Sequence, residues 1–187
     1  MKNIIDTDEK IQKPKNLLKI EGEIGFYTNF VLEKFLEKLK AREKYQIKLE
    51  TPGGNTYYAL KMLSIMSNSK FERCEIVFAG KYVYSAGIYV YVIGEERVSG
   101  AKTQFHIHRN IHTKTKKVFE GDPSEDELNL WSIMAELSHI PRERIKELAM
   151  ANNGHGTSLG AFEAKDLGLV NEIWDKDSKK IYLLKSD

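Results

Sequence analysis

The chain has one cysteine, four prolines and no surplus of either charge: 29 Lys and Arg stand against 27 Asp and Glu in 187 residues, a net charge of +2. A lone cysteine forbids an intramolecular disulfide and cannot by itself supply a cysteine-rich zinc site. Because Cys74 sits in the strand-like alternation Cys74, Ile76, Phe78, its thiol is expected to be buried and inert rather than nucleophilic. Near-cancelling charge, with no long block of one sign, leaves little electrostatic footprint for nucleic acid or an anionic membrane surface. Long apolar runs are missing as well. The longest, Ala86 to Ile93, is far short of the ~20 residues that span a bilayer, and the opening MKNIIDTDEKIQKPKN lacks the apolar centre of a secretory signal. These absences point to a cytoplasmic chain with neither a nucleic-acid nor a membrane partner.

What is present reads as strands and helices in alternation. No internal repeat or low-complexity tract occurs; residues 1–16 are polar and expected to be a flexible segment, and residues 17–187 a single α/β domain. Strands are expected at Leu17 to Ile20, around Ile47 and Leu49, from Glu75 to Ala79, near Arg97-Val98, from Thr103 to His108, from Leu169 to Trp174 and at Ile181 to Leu184. Helical spacing of Val31, Phe35, Leu36 and Leu39 predicts a helix from about Thr28 to Arg42, capped by Thr28 or Asn29. A second helix follows Gly54 with Tyr58, Leu60, Leu63 and Met66 for packing. The segment Ala86 to Ile93 fits helix or strand equally well. Pro123-Ser124-Glu125-Asp126-Glu127 opens a capped helix with Leu128, Leu130, Trp131, Met134 and Leu137 as its stripe, Pro141 opens another, and Ser158 to Asp166 a last one. Such alternation implies parallel pairing with right-handed crossovers.

Two glycine-bearing turns, Gly53-Gly54 and Ser85-Ala86-Gly87, fall between the carboxyl end of a strand and the amino end of the next element, where open α/β sheets place ligands. Glycine permits the tight turn and leaves backbone N–H groups to point into a cleft, as an oxyanion hole requires. A serine at such a turn has an exposed hydroxyl beside a free N–H, although taken alone it is most simply a helix cap. A nucleophilic serine needs a base, usually histidine, and the chain has His106, His108, His112, His139 and His155. Strand alternation puts His106 and His108 on one face, so that one could serve the serine and the other be structural, or both could form a hydrogen-bonded pair at a sheet edge. With His112 or His155 they could also make a three-histidine zinc site, but no nearby carboxylate is evident to orient such ligands. No metal or other cofactor is expected.

In this order the motifs resemble the Clp protease proteolytic subunit family, within the ClpP/crotonase fold of repeated ββα units with a projecting helical handle. Gly22-Glu23-Ile24 follows the first strand, Thr51-Pro52-Gly53-Gly54 stands where the family has Ser-Pro-Gly-Gly, and Tyr84-Ser85-Ala86-Gly87 stands at the nucleophile turn. Ile107-His108 matches Ile-His, and Glu163-Ala164 with Gly168-Leu169-Val170 resembles the family's carboxyl-terminal segment. The likeness runs from about residue 17 to 174. It implies Ser85 as nucleophile, His108 as general base, His106 as a structural neighbour, and backbone N–H groups of Gly53, Gly54 and Ala86 as the oxyanion hole. It also implies that the helices of about 122–150 form a handle interlocking two stacked rings of a homo-oligomer, with an AAA+ unfoldase as a partner that feeds it. An apolar stripe on a projecting helix would need a partner surface; the ordinary alternative is a helix covering its own sheet. The polar linker from Thr113 to Asp122 could lie beside substrate or form a solvated loop.

One departure concerns the third member of the triad. Where the family has an aspartate ahead of the Glu-Ala segment, this chain reads Asn152-Asn153-Gly154-His155-Gly156. An asparagine could accept the ring N–H of His108 but could not stabilise the imidazolium with a full charge, and Asn153 is the expected orienter, with Asn152 and His155 as alternatives. The function expected is a serine endopeptidase acting on peptides or unfolded proteins through an acyl-enzyme. A catalytically impaired scaffold subunit and a phage-type capsid-maturation protease are the alternatives. A crotonase-type acyl-CoA enzyme shares the sheet and the two backbone donors but needs neither Ser85 nor His108, and a Ser/Lys peptidase would leave the well-placed His108 unused.

Overall fold

The computed structural model describes residues 16–39, 44–67, 74–111, 115, 117–118, 121–175 and 180–182. Period-two burial sets its strands. In β1 (Leu17–Glu21) Leu18 and Ile20 are buried while Lys19 and Glu21 are exposed. The connecting helix α1 (Phe26–Leu36) turns Asn29, Leu32 and Leu36 inward. It starts earlier than its apolar spacing suggests, because Thr28 acts from the third helical position: its hydroxyl accepts the Gly25 N–H at 2.9 Å and donates to the Gly25 carbonyl at 2.7 Å. In β2 (Tyr45–Thr51) the buried residues Tyr45, Ile47, Leu49 and Thr51 alternate with half-buried Gln46, Lys48 and Glu50. Helix α2 (Thr56–Met66) is capped by Asn55, whose side chain accepts the Tyr57 N–H at 2.9 Å.

The third strand, β3 (Cys74–Tyr84), runs five residues past the end that the sequence pattern marks at Ala79. It stays extended through Gly80 because it has neighbours along its whole length. Its first half pairs with β4 (Glu96–Gly100), and Tyr82 to Tyr84 pair with β5 (Gln104–Ile107). Between β3 and β4 the ambiguous apolar segment is a helix, α3 (Ala86–Tyr91), with all six residues buried. Burial on every side is why periodicity could not distinguish the two states.

Helices α4 (Glu125–Ser138) and α5 (Arg142–Met150) follow, then β6 (Thr157–Gly160), α6 (Ala161–Asp166), β7 (Glu172–Asp175) and β8 (Lys180–Tyr182). The main path of the sheet is β1-β2-β3-β4-β7-β8, with β5 beside the carboxyl end of β3 and β6 beyond it. All pairings are parallel except β5 with β6 and β7 with β8. The helix expected from Ser158 begins only at Ala161. Thr157 to Gly160 are instead drawn out by antiparallel pairing with β5, His106 lying opposite Ser158.

The apolar stripe of α4 does not wait for another molecule. Leu130, Trp131 and Met134 are buried in the chain's own core, with α3 and α5 packed against the helix. Burying side chains of this size stabilises the fold by about 1.5–3 kcal/mol each. The second half of the chain is also tied down by Arg97 on β4. Its buried guanidinium donates to the carbonyls of Leu169 (2.9 Å), Gly168 (3.2 Å), Gly94 and Leu137 (both 3.4 Å). Among the described residues no helix is long and apolar enough to cross a membrane. Residues 1–15, His112 and part of the 113–122 linker lie outside the described residues.

Candidate active site

The site is built where β3 ends. Ser85 takes φ 53°, ψ −127°, a conformation that side-chain-bearing residues rarely adopt, and α3 begins at the next residue. Its N–H donates to the His106 carbonyl at 2.9 Å, which docks the serine turn onto β5 two residues before His108. Gly53 lies directly against this turn. A Cβ on it would stand 2.6 Å from Ser85 Cβ and 3.2 Å from the Ala86 nitrogen, so only glycine fits. Sharp strand-to-helix turns of this kind expose a serine hydroxyl beside backbone donors. The Ser85 hydroxyl has no hydrogen bond among the described residues, so it is not engaged by His108 in this conformation.

The three expected oxyanion donors are not equivalent. The Gly53 N–H already donates to Thr51 Oγ1 at 3.0 Å, and the Thr51 hydroxyl bonds the Gly53 carbonyl at 3.2 Å. The N–H groups of Gly54 and Ala86 have no partner among the described residues. Gly54 bridges Ile24 through its two neighbours: Ile24 N–H donates to the Gly53 carbonyl at 2.7 Å, and Asn55 N–H to the Ile24 carbonyl at 3.0 Å. In a parallel bridge this leaves the central residue's own N–H directed to the other side.

His106 and His108 share a face, their rings 5.3 Å apart. His106 Nδ1 lies 2.9 Å from Ser158 Oγ. His108 is half-buried, and its Nδ1 faces the carbonyl oxygen of Arg109. A carbonyl can only accept, so Nδ1 carries the proton and Nε2 keeps its lone pair for use as a base. Burial pushes the His108 pKa down, the bond to Arg109 pushes it back, and the charges of His106 and His155 lower it again, leaving it below the ordinary histidine value. The ring is therefore neutral near pH 7.

The orienting position differs from expectation. Asn153 is exposed, has φ 58°, and makes no hydrogen bond to His108 among the described residues; Asn152 donates to the Gly156 carbonyl at 2.8 Å instead. The residue that abuts His108 is Gly156. A Cβ there would stand 2.6 Å from His108 Cβ and 2.0 Å from the Ile107 carbonyl oxygen, so no side chain can occupy the place. Sequence reasoning missed Arg109 because the group it offers is its backbone carbonyl, which every residue has. It also missed the buried ion pair beside the site, Arg109 Nη2 to Glu127 Oε2 at 2.8 Å. The capping box of Ser124 and Glu127 was the one available signal.

Among the described residues no group of three or more His, Cys, Asp and Glu is arranged to hold a metal. Cys74 is buried, and burial, its main influence, pushes its thiol up to about 12.

A row of rings leads away from His108: His106 at 5.3 Å, Tyr84 at 5.9 Å from His106, and Tyr82 at 5.3 Å from Tyr84. Elsewhere, Phe26, Tyr27 and Phe30 of α1 and Tyr57 of α2 are exposed, and Phe26 and Tyr57 both pack on the ring of Tyr58.

No curated protein matches the chain. A ClpP1 variant from Listeria monocytogenes has a similar fold, with a TM-score of 0.70 at 22% identity over 88% of this chain and 94% of that one. The Clp protease family model matches residues 28–177, a span that contains Gly53, Ser85 and His108, and on that match the chain belongs to the Clp protease family.

Proposed function

We propose that this protein is a serine endopeptidase that cleaves peptides or unfolded proteins through an acyl-enzyme, with Ser85 as nucleophile and His108 as general base. The observation that carries this reading is the backbone of Ser85, held at φ 53° in a conformation that only a specific use of the residue would explain. In the proposed reaction Ser85 Oγ attacks the scissile carbonyl and its proton passes to His108 Nε2. The tetrahedral oxyanion is held by the Ala86 and Gly54 N–H groups, which are free to donate; Gly53 would join them only by leaving Thr51. Collapse expels the amine, which takes the proton from His108, and water then attacks the acyl-serine with His108 again as base. The half-buried row of Tyr84 and Tyr82 offers an apolar shelf for substrate side chains.

The assembly we propose is a cytoplasmic homo-oligomeric ring, with α4 and α5 near the contact between two stacked rings and an AAA+ unfoldase supplying substrate. The exposed aromatic cluster of Phe26, Tyr27, Phe30 and Tyr57 supports an oligomer, since patches of this kind mark interaction surfaces. A second reading, a scaffold subunit with little activity, is favoured by a Ser85 hydroxyl and a His108 ring that, among the described residues, have neither each other nor a carboxylate as a hydrogen-bond partner. Loose catalytic hydrogen bonds that tighten only on substrate are common, which keeps the first reading ahead.

The deciding experiment is labelling with a fluorophosphonate, read by intact mass, with Ser85→Ala and His108→Ala alongside. A single adduct on the native protein that is lost in both variants is the expected result. A folded, assembled protein that never labels would sink the peptidase reading in favour of the scaffold.

A further inference from the structure

We propose that Glu127 is the displaced third member of the site, a positioning residue that acts on His108 through one peptide group. The proposal rests on His108 being the base. The peptide unit between Arg109 and Asn110 presents its carbonyl to His108 Nδ1 at one end, while its N–H, from Asn110, donates to Glu127 Oε1 at 2.9 Å at the other. In a trans peptide these two groups point in opposite directions. Carboxylate, peptide and imidazole therefore form a line, and the negative charge of Glu127 polarises the carbonyl that holds the ring. Hydrogen bonds in series strengthen one another in this way. No proton leaves the peptide; the carboxylate fixes the tautomer and supports the imidazolium at one remove.

Everything around this peptide is arranged to keep it still. The Arg109 side chain is 3% exposed and that of Glu127 2%. Arg109 Nε donates to Glu127 Oε1 at 3.2 Å, and Nη2 donates to Oε2 at 2.8 Å, a two-point clamp. The remaining guanidinium donors reach the carbonyls of Gly121 (2.6 Å) and Asp122 (3.2 Å), and the Arg109 N–H reaches Gly154 (3.2 Å). Glu127 Oε2 also accepts the Ser124 N–H at 3.0 Å. Burial pushes the Glu127 carboxyl up, but the donors from Arg109, Ser124 and Asn110 outweigh it and hold the group below the usual carboxylate range, so it is charged at neutral pH. Glu127 lies in the first turn of α4, so the same contact ties the base to that helix. At position 156, against the ring, a side chain is excluded by contact with Ile107 and His108. The carboxylate reaches the ring from the opposite end of a peptide instead.

The test uses the whole chain and the Glu127→Gln variant, which keeps an oxygen for the Asn110 N–H and removes the charge, while turning an amide NH2 toward the Ser124 N–H and Arg109 Nη2. Fluorophosphonate labelling rates are measured across pH, and solid-state 15N NMR of histidine-labelled protein, assigned with His108→Gln, reads the His108 tautomer. The titratable and charged groups facing His108 are His106, His155 and the Arg109–Glu127 pair, of which only the last is altered. The expected result is a protonated Nδ1 in the native protein, with labelling about tenfold slower in Glu127→Gln and its acid limb moved to lower pH, since an imidazolium without the distant charge loses its proton more readily. An unchanged rate and acid limb in a folded Glu127→Gln would overturn the proposal. Should that variant not fold, a native His108 protonated on Nε2 would overturn it equally, and a protonated Nδ1 that resists exchange would support it. Absence of labelling in the native protein refutes the peptidase reading alone, because the NMR measurement still shows whether Glu127 acts on the ring.

Discussion

Gly156 and His108 are in backbone contact, with no room between them for the methyl group of an alanine. The place from which a neighbouring carboxylate would orient the base is thus closed. Gly156→Asp, which would put a carboxylate at the residue that abuts His108, is predicted to do harm. It puts a side chain at φ 86° and drives its Cβ to 2.0 Å from the Ile107 carbonyl oxygen. Positive φ and overpacking together cost about 3 kcal/mol, which lowers Tm by roughly 6–12 °C in a chain of this size. Calorimetry and labelling of this variant provide the check, and a gain in labelling at unchanged Tm would contradict the geometry.

Stability and nucleophilicity are predicted to oppose each other at Ser85. Its conformation costs about 1–3 kcal/mol for any residue with a side chain, whereas glycine adopts it freely and loses only about 0.5–1 kcal/mol through its looser unfolded chain. Ser85→Gly should therefore melt a few degrees above both the native protein and Ser85→Ala, while losing all labelling. A Ser85→Gly Tm at or below that of Ser85→Ala would show that the turn is relaxed.

Acid should weaken this protein twice over. The folded pKa of His108 is depressed, by burial first and then by His106 and His155 against the opposing bond to Arg109. The unfolded chain consequently binds a proton that the folded one refuses. As pH falls below about 6.5, the ordinary histidine value, stability contributed at this residue declines until the folded pKa is reached. Labelling should hold steady through pH 6.5 and drop only at lower pH, where the base itself protonates. Urea unfolding and labelling rates from pH 5 to 8 test both, and an acid limb above 6.5 would contradict the buried, neutral ring.

The aromatic cluster offers a separate prediction. Tyr27 is 74% and Phe26 68% exposed, so replacing such residues disturbs no core. Tyr27→Glu combined with Phe30→Glu should split the proposed oligomer into smaller species by light scattering while each chain keeps its stability to within about 0.5 kcal/mol. An unchanged mass would move the interface elsewhere.

Much of this molecule was legible in its sequence, and the reasons are local. Gly53 and Ser85 stand where the backbone leaves the conformations that most residues accept, and such positions announce themselves. Alternation fixed β1 and β2 because one face of each is buried. What stayed hidden depends on distant partners. Thr157 to Gly160 carry a single buried residue, Leu159, and become a strand only because β5 lies alongside. Glu127 and Arg109 are charged residues 18 positions apart, and charge by itself points to a surface until a structure shows the two facing each other. Asn153 has a side chain whose chemistry suits orienting His108, yet the Nδ1 partner is a main-chain carbonyl.

Arg97 has a consequence for how the chain is made. Its guanidinium is buried with no carboxylate partner among the described residues, and burial lowers its pKa, so its charge depends on four carbonyls, two of which, at Gly168 and Leu169, come from more than seventy positions downstream. During synthesis, β1 to β4 leave the ribosome while those carbonyls do not yet exist. Arg97 must then stay hydrated, and the half-sheet cannot close over it. Final consolidation waits until nearly the whole domain has emerged, so a nascent chain halted before residue 168 would remain open to proteases and chaperones.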